Sequence, residues 1–149
     1  MRLSDHFTLA EAAKSYEAQR RGIDNTPPFH LIESLAGVAK NILEPVRSEF
    51  GVPFSPSSWY RSPELNRAIG GSEHSQHCTG HAVDFELPGI SNWMLSEWCS
   101  DNLEFDQLIL EFMKDNDPTA GWIHCSYVHN MNRGQILRID SSGTRSWRF

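Results

Sequence analysis

The chain has 149 residues, of which 13 are basic and 19 acidic, so its formal net charge is −6. This length suits a single domain spanning 1–149, and the acidic balance disfavours nucleic acid as a partner. No apolar run approaches the roughly 20 residues that a membrane span needs, and the first residues lack the apolar core of a signal peptide. We therefore expect a monomer that is made in the cytoplasm and has neither a membrane nor a nucleic-acid partner.

Helices are predicted mainly in the first half of the chain. A capping-box pattern opens a helix over about 8–21, and apolar residues three and four apart predict a longer helix over about 29–50. Pro45 should kink or split the longer helix, because proline lacks a backbone N–H and its ring crowds the preceding turn. Serine caps predict two shorter helices over about 62–70 and 91–103.

Strands are predicted mainly in the second half, from short apolar segments bounded by turn residues. They cover about 57–60, 82–87, 106–112, 122–128, 135–139 and 144–148, the last two forming a closing hairpin. Helices that come first and strands that come later are typical of the α+β class. We expect one domain with an antiparallel β-sheet, helices packed on one of its faces, and a functional cleft on the sheet.

Side chains alternate between the two faces of a sheet, and this alternation sorts polar from apolar residues in the predicted strands. One face carries the apolar residues Val83, Phe85, Leu108, Leu110, Phe112, Ile123 and Cys125. The other face carries Asp84, Glu111 and His124. If the apolar face packs on the helices, these three polar side chains point together into one cleft.

A metal site at this cleft is suggested by His77, which precedes Asp84 by seven residues. Gly80 allows the tight turn that would bring the two together. Two imidazoles, from His77 and His124, and one carboxylate make a three-ligand zinc site that leaves a position for water. A histidine and an aspartate at this spacing are also common as ordinary polar surface residues. The residues alone leave both interpretations open.

Three short blocks resemble a known family. The stretch 75–84 matches the S-x-H-x-x-G-x-A-x-D signature of the zinc D-alanyl-D-alanine carboxypeptidases and their relatives, which include D-Ala-D-Ala dipeptidases and phage L-alanyl-D-glutamate endolysins. The segments 122–124 and 60–62 resemble the W-x-H and Y-R-S blocks of these enzymes. The chain is similar over nearly its whole length to their small, single-domain branch, which is common in phages and prophages.

This resemblance implies a role for individual residues. The implied Zn²⁺ ligands are His77, Asp84 and His124. Arg61 would clamp a substrate carboxylate, since a guanidinium binds a carboxylate bidentately where lysine offers only a point charge. Ser75 would donate a hydrogen bond near the substrate or the zinc, and Trp122 would line the cleft and contact substrate. The alternative interpretations are a surface arginine beside a helix for Arg61 and an ordinary loop serine for Ser75.

The general base is the point at which the chain departs from some relatives. Those relatives carry an acid three residues before the second histidine, where this chain has Gly121. We predict Glu111 as the base, because an acid in an otherwise apolar strand needs a reason and burial would tune it for proton transfer. The alternative is an edge-strand acid that faces solvent. Asp117 ranks second as the base, and His81 and His74 are further candidates for substrate contacts.

The remaining reactive side chains are given structural roles. Cys78 and Cys125 each follow a predicted zinc ligand, and we interpret both as small apolar fillers and not as ligands. A cysteine nucleophile is not expected, because no cysteine–histidine pair has a suitable context. Trp93 and Trp98 are assigned to the core and not to a sugar-stacking platform.

The resemblance implies a zinc metallopeptidase that hydrolyses peptidoglycan stem peptides, of the D-Ala-D-Ala carboxypeptidase or the L-Ala-D-Glu endopeptidase type. The alternative of another class is a non-catalytic zinc-binding structural module of a phage particle, in which Gly121 marks lost catalysis. In the absence of a signal peptide, we expect the protein to act at the cell wall after release during phage lysis, or as part of a particle.

Overall fold

Six short α-helices lie in the first two thirds of the chain in the computed structural model, which describes all of residues 1–149. Their bounds are α1 Leu9–Ala13, α2 Tyr16–Arg21, α3 Ile32–Val38, α4 Glu44–Phe50, α5 Pro63–Ala68 and α6 Asn92–Asn102. A 3₁₀ turn over Phe29–Leu31 leads into α3, and a π-helical turn over Ala39–Leu43 joins α3 to α4. None of these helices has the length and apolarity that crossing a bilayer requires.

The predicted helix over 8–21 is wrong in one respect, because it is two helices. Thr8 caps α1 with the predicted capping box: its hydroxyl accepts from the Glu11 backbone N–H at 3.2 Å, and its own N–H donates to the Glu11 carboxylate at 3.1 Å. At Lys14 the backbone is extended, and the Ser15 hydroxyl caps α2 by accepting from the third backbone N–H of that helix. A second serine cap therefore restarts the helix, which a purely periodic pattern does not reveal.

The predicted break at Pro45 in the long helical segment is confirmed, and it takes the form of the π-helical turn. Pro45 lies in the first turn of α4, where its missing N–H is tolerated. The wider π turn immediately before it accommodates the change in hydrogen bonding. The segment buries one continuous apolar stripe, consisting of Leu35, Val38, Ala39, Ile42, Leu43 and Val46.

Five strands form one sheet in the order β1–β3–β2–β4–β5. Their bounds are β1 Ala82–Phe85, β2 Gln107–Glu111, β3 Trp122–Ser126, β4 Gln135–Asp140 and β5 Gly143–Ser146. The α+β class is confirmed, but β2 and β4 pair in parallel while the other pairs are antiparallel. The reason is that β1 already occupies the free side of β3. The strand that follows β3 therefore adds beside β2 and runs in the direction of β2.

The predicted strand over 57–60 is not formed. This segment has no regular secondary structure and makes a single bridge, between Ser58 and Asp84 at the outer edge of β1. The Asp84 backbone N–H donates to the Ser58 carbonyl at 2.7 Å, and the Ser57 N–H donates to the Asp84 carbonyl at 3.0 Å. The segment thus holds the backbone of Asp84 on the side away from β3.

The core lies between one face of the sheet and the helices. The face consists of Val83, Phe85, Leu108, Leu110, Ile123 and Cys125, all with no exposed surface. Burying an apolar side chain of this size contributes roughly 1.5–3 kcal/mol. The alternation predicted from sequence is therefore confirmed for these residues, and the opposite face is left for polar side chains.

A buried acid, Asp106, ties three separate segments together just before β2. Its carboxylate accepts from the Gln76 side chain at 2.9 Å and from Arg133 through the backbone N–H, Nε and Nη2, at 3.0, 2.9 and 2.8 Å. The Arg133 hydrogen bonds, together with that of Gln76, hold the pKa of Asp106 at about 2, although burial acts in the opposite direction. Because Gln76 adjoins His77, this acid fixes the loop that carries His77 against the sheet.

Asp106→Asn should lower the free energy of unfolding by about 2 kcal/mol at pH 7. This is the stability that follows when the pKa of a carboxyl group is lowered on folding from 3.8 to about 2. A lowered pKa stabilises the fold above pH 3.8, and this contribution is lost as the pH falls from 3.8 towards 2. Urea denaturation of both proteins across this range measures it. The difference between them should shrink with the pH, whereas Asp101→Asn, an exposed acid on α6, should behave as wild type throughout.

Candidate metal centre

Three candidate ligands meet on the polar face of the sheet. Asp84 of β1 lies directly opposite His124 of β3, and His77 comes from the loop before β1. Oδ1 of Asp84 is 3.0 Å from Nδ1 of His124 and 3.2 Å from Nε2 of His77. One donor atom from each residue lies within 4.8 Å of the other two. All three side chains are buried, so the loop and the two strands bring together the residues that the sequence predicts.

The loop that presents His77 depends on Gly80. The φ of Gly80 is +75°, and a Cβ at this position would lie 3.3 Å from the side chain of Leu35 on α3. The His77 carbonyl accepts from the backbone N–H groups of Gly80 and Arg61, at 3.4 and 3.2 Å. The left-handed backbone therefore favours glycine, and the close approach of Leu35 leaves little room for a side chain.

The orientation of His77 is set by the chain itself. Its Nδ1 lies 2.7 Å from the Trp59 carbonyl oxygen. A carbonyl can only accept, so Nδ1 carries the proton and, in the neutral ring, Nε2 presents its lone pair to the site. A hydrogen bond of this kind from the distal ring nitrogen is typical of metal-binding histidines.

This arrangement fits a bound cation. A neutral His77 directs a lone pair at the Asp84 carboxylate, which is favourable only when a proton or a metal ion lies between them. Burial alone would raise the pKa of Asp84, but hydrogen bonds and charge from His124 and His77, when these rings are protonated, outweigh it and hold that pKa well below its usual range. With protons or a metal ion on the facing imidazole nitrogens, Asp84 therefore stays anionic. Two imidazole nitrogens and one carboxylate oxygen are a donor set that zinc prefers.

A buried His–Asp–His cluster of this kind is one that could hold a divalent metal ion. The sequence model of Peptidase M15 matches residues 5–126, and the chain belongs to this family. Members are zinc enzymes that act on peptidoglycan peptides in general, so the chain is a metallopeptidase at the level of the family. No individually curated protein matches the chain.

Glu111 lies at the end of β2 on the same face as the three candidate ligands. In the β2–β3 register it pairs with Trp122, two residues from His124 on that face. Its side chain is half-buried. Burial raises the pKa of Glu111 above the usual range, and the charge of Asp84 adds to this, while His124 and Arg61 act in the opposite direction. The acid therefore faces the cleft as the alternation predicts.

The structure explains why position 121 cannot carry an acid. Gly121 has a φ of +73°, and a Cβ there would lie 2.1 Å from the backbone oxygen of Glu111 and 2.6 Å from backbone atoms of Phe112 and Met113. These contacts are with backbone and cannot be relieved by a side-chain rotation. Glycine at this position is therefore a packing requirement of the turn into β3.

Phe112 is on the face opposite to the one predicted. The alternation predicts it on the apolar face with Leu110, but its φ of +54° turns the side chain out of the strand pattern. Its ring stacks on that of Trp122, with centroids 5.6 Å apart and an interplanar angle of 26°, and the side chain remains 46% exposed. The two rings form an aromatic wall beside Glu111. No local sequence pattern predicts this position of Phe112, because a phenylalanine with a left-handed backbone is rare.

Arg61 and Ser75 both adjoin the loop of His77. Arg61 is half-buried, and its Nη1 donates to the Asn66 side-chain oxygen at 3.0 Å. Burial raises the pKa of Glu111, and the positive charge of Arg61 acts against this rise. The Ser75 hydroxyl accepts from the His77 backbone N–H at 3.3 Å, so this serine helps to order the ligand loop.

The lower-ranked candidates have other partners. The Asp117 carboxylate lies in a turn, where it accepts from the Thr119 backbone N–H and hydroxyl, at 3.0 and 2.8 Å. Nδ1 of His81 lies 2.8 Å from the Thr79 hydroxyl. Cys125 is fully buried, in agreement with a filler role. None of these residues belongs to the cluster of three donor atoms.

Gly121→Ala tests the crowding at the turn into β3. We expect it to cost about 3 kcal/mol or more, from overpacking of about 1–3 kcal/mol and a left-handed backbone of about 1–2 kcal/mol. Gly22→Ala is the matched control, because Gly22 has a φ of +67° but no atom within 4 Å of a Cβ. It should lose only the backbone part. Urea denaturation of the two variants measures the difference, and equal losses would contradict the account of Gly121.

Proposed function

We propose that this chain is a zinc-dependent metallopeptidase that hydrolyses peptide bonds in peptidoglycan stem peptides, with His77, Asp84 and His124 as the metal ligands. The observation that carries the proposal is the convergence of these three buried side chains from a loop and two strands, with donor atoms within 4.8 Å of one another. Membership of the Peptidase M15 family supports it independently. When bound, zinc would supply a Lewis acid that polarises the scissile carbonyl and lowers the pKa of a water ligand towards about 7.

Glu111 is the proposed general base and acid. It would take the proton of the attacking water and return it to the leaving amine, as glutamates at such sites do. Three features support this role: its place on the ligand face, its half-buried position and its raised pKa. The absence of room for an acid at Gly121 removes the position that some relatives use.

Arg61 is proposed to bind the substrate carboxylate next to the scissile bond. Both candidate bonds fit this role, because a D-Ala-D-Ala terminus and an L-Ala-D-Glu link each place a free α-carboxylate on the residue after the bond. A guanidinium binds such a group bidentately, and the Asn66 hydrogen bond holds Arg61 at the ligand loop. Ser75 and Trp122 complete the proposed substrate contacts, Ser75 from the loop and Trp122 from the aromatic wall.

Mass spectrometry of purified stem peptides incubated with zinc-loaded protein tests the function and identifies the bond. Loss of terminal D-alanine indicates a carboxypeptidase, and cleavage after L-alanine indicates an endopeptidase. His124→Ala should abolish either product. If the zinc-loaded wild type leaves every stem peptide intact, or if His124→Ala cleaves as fast as wild type, the proposal is wrong. Tight zinc binding without cleavage would favour the non-catalytic module of a phage particle instead.

Glu111→Gln should lower kcat/KM by about 100-fold or more, because a general base contributes about 10²–10⁴-fold. In the wild type, the acidic limb of the pH profile should have a midpoint above 4.5, since the raised pKa delays ionisation of the base.

A raised pKa also means that ionisation of Glu111 lowers the free energy of unfolding as the pH rises. The variant should therefore unfold at an equal or higher urea concentration at pH 7. Glu104→Gln, an exposed acid before β2, is the control and should keep full activity.

A further inference from the structure

A polar cavity adjoins the candidate metal centre on the side where β2 begins. Its volume is about 410 Å³. The residues that bear on its chemistry are Ser72, His74, Ser75, Gln107, His124 and Arg133. His124 belongs to both the cavity and the metal centre, so a peptide whose scissile carbonyl lies at the metal centre would place a neighbouring residue in this cavity. Arg133 lies beyond residues 5–126, which the family match covers.

Arg133 is oriented by a carboxylate that lies behind it. Asp106, whose side chain is only 4% exposed, accepts from Nε and Nη2 of Arg133 at 2.9 and 2.8 Å. This pairing occupies one edge of the planar guanidinium. The outer edge, formed by Nη1 and the second N–H of Nη2, has no acceptor in the protein, and the side chain is 58% exposed. A fork of two parallel N–H donors, fixed in direction, matches the geometry of a carboxylate.

The charges around the cavity favour an anionic group. Arg133 is the only lining residue with a permanent charge, and no aspartate or glutamate lines the cavity. The Asp106 carboxylate is saturated by donors from Gln76 and Arg133 and is almost fully covered. Arg133 therefore presents two N–H donors to the cavity from this side, in a chain whose net charge is −6.

We infer that the cavity is a second substrate subsite, in which the outer edge of Arg133 binds a stem-peptide carboxylate other than the one bound by Arg61. This inference rests on the proposed function and adds a specificity-determining residue to it. Substrate binding by the wild-type enzyme should then depend on two carboxylates of the same substrate, one bound by Arg61 and the other by Arg133. Arg133 acts on substrate binding, so its loss should raise KM and leave kcat nearly unchanged.

The test uses zinc-loaded full-length protein and a set of stem peptides in which each carboxylate is converted, in turn, to its primary amide. For the wild type, two of these amides should each raise KM by about tenfold, the value of a charged bidentate hydrogen bond: one at the carboxylate bound by Arg133 and one at the carboxylate bound by Arg61. Arg133→Gln should lose the first of these two effects and keep the second. Arg61→Gln should do the reverse.

Arg145→Gln is the matched control, because Arg145 is also a partly exposed arginine paired with an aspartate, Asp140, but lies on β5 away from the cavity. It should discriminate as wild type does. Ratios of KM between acid and amide are measured on one preparation and so do not depend on the folded fraction of a variant. If the wild type cleaves stem peptides but Arg133→Gln raises KM equally for the acid and amide forms of every peptide, the inference fails and the proposed function stands. If no peptide is cleaved, both fail.

Discussion

The proposed site depends on how the buried negative charge of the Asp84 carboxylate is compensated. A buried charge costs several kcal/mol unless it is compensated, and two neutral imidazoles do not neutralise it. Asp84 is nevertheless held in this buried position by its backbone, which the segment before α5 contacts on one side and β3 pairs with on the other. A divalent cation shared with His77 and His124 would offset this cost, so that metal binding would stabilise the fold as well as complete the proposed site.

The same face of the sheet shows how backbone packing decides where a catalytic group can stand. The turn into β3 brings the backbone at Gly121 so close to that of Glu111 that no side chain fits at position 121. The proposed base, Glu111, instead lies on β2, and the unusual backbone of Phe112 stacks an aromatic ring on Trp122 beside it. A left-handed conformation in a residue with a Cβ costs roughly 1–3 kcal/mol and tends to be kept at functional sites.

Local patterns in the sequence predicted the parts of the fold that local physics decides. Period-two alternation brought Asp84, Glu111 and His124 to one face, because strand geometry leaves no other choice once the apolar face is buried. The parallel pairing of β4, the position of Phe112 and the joining of Asp106 to Arg133 were not predicted. Each of these depends on contacts between segments far apart in the chain or on a rare backbone angle, which neither periodicity nor capping residues encode.

The central claim is that His77, Asp84 and His124 together hold one zinc ion, and its most direct test is the metal content of the protein. Protein stripped with a chelator, reloaded with zinc and freed of excess metal should contain one zinc per chain by plasma mass spectrometry. His124→Ala and Asp84→Asn should retain far less, whereas His81→Ala, a histidine of the same loop outside the cluster, should retain one. Wild type without zinc, or equal zinc in all four proteins, would contradict the account.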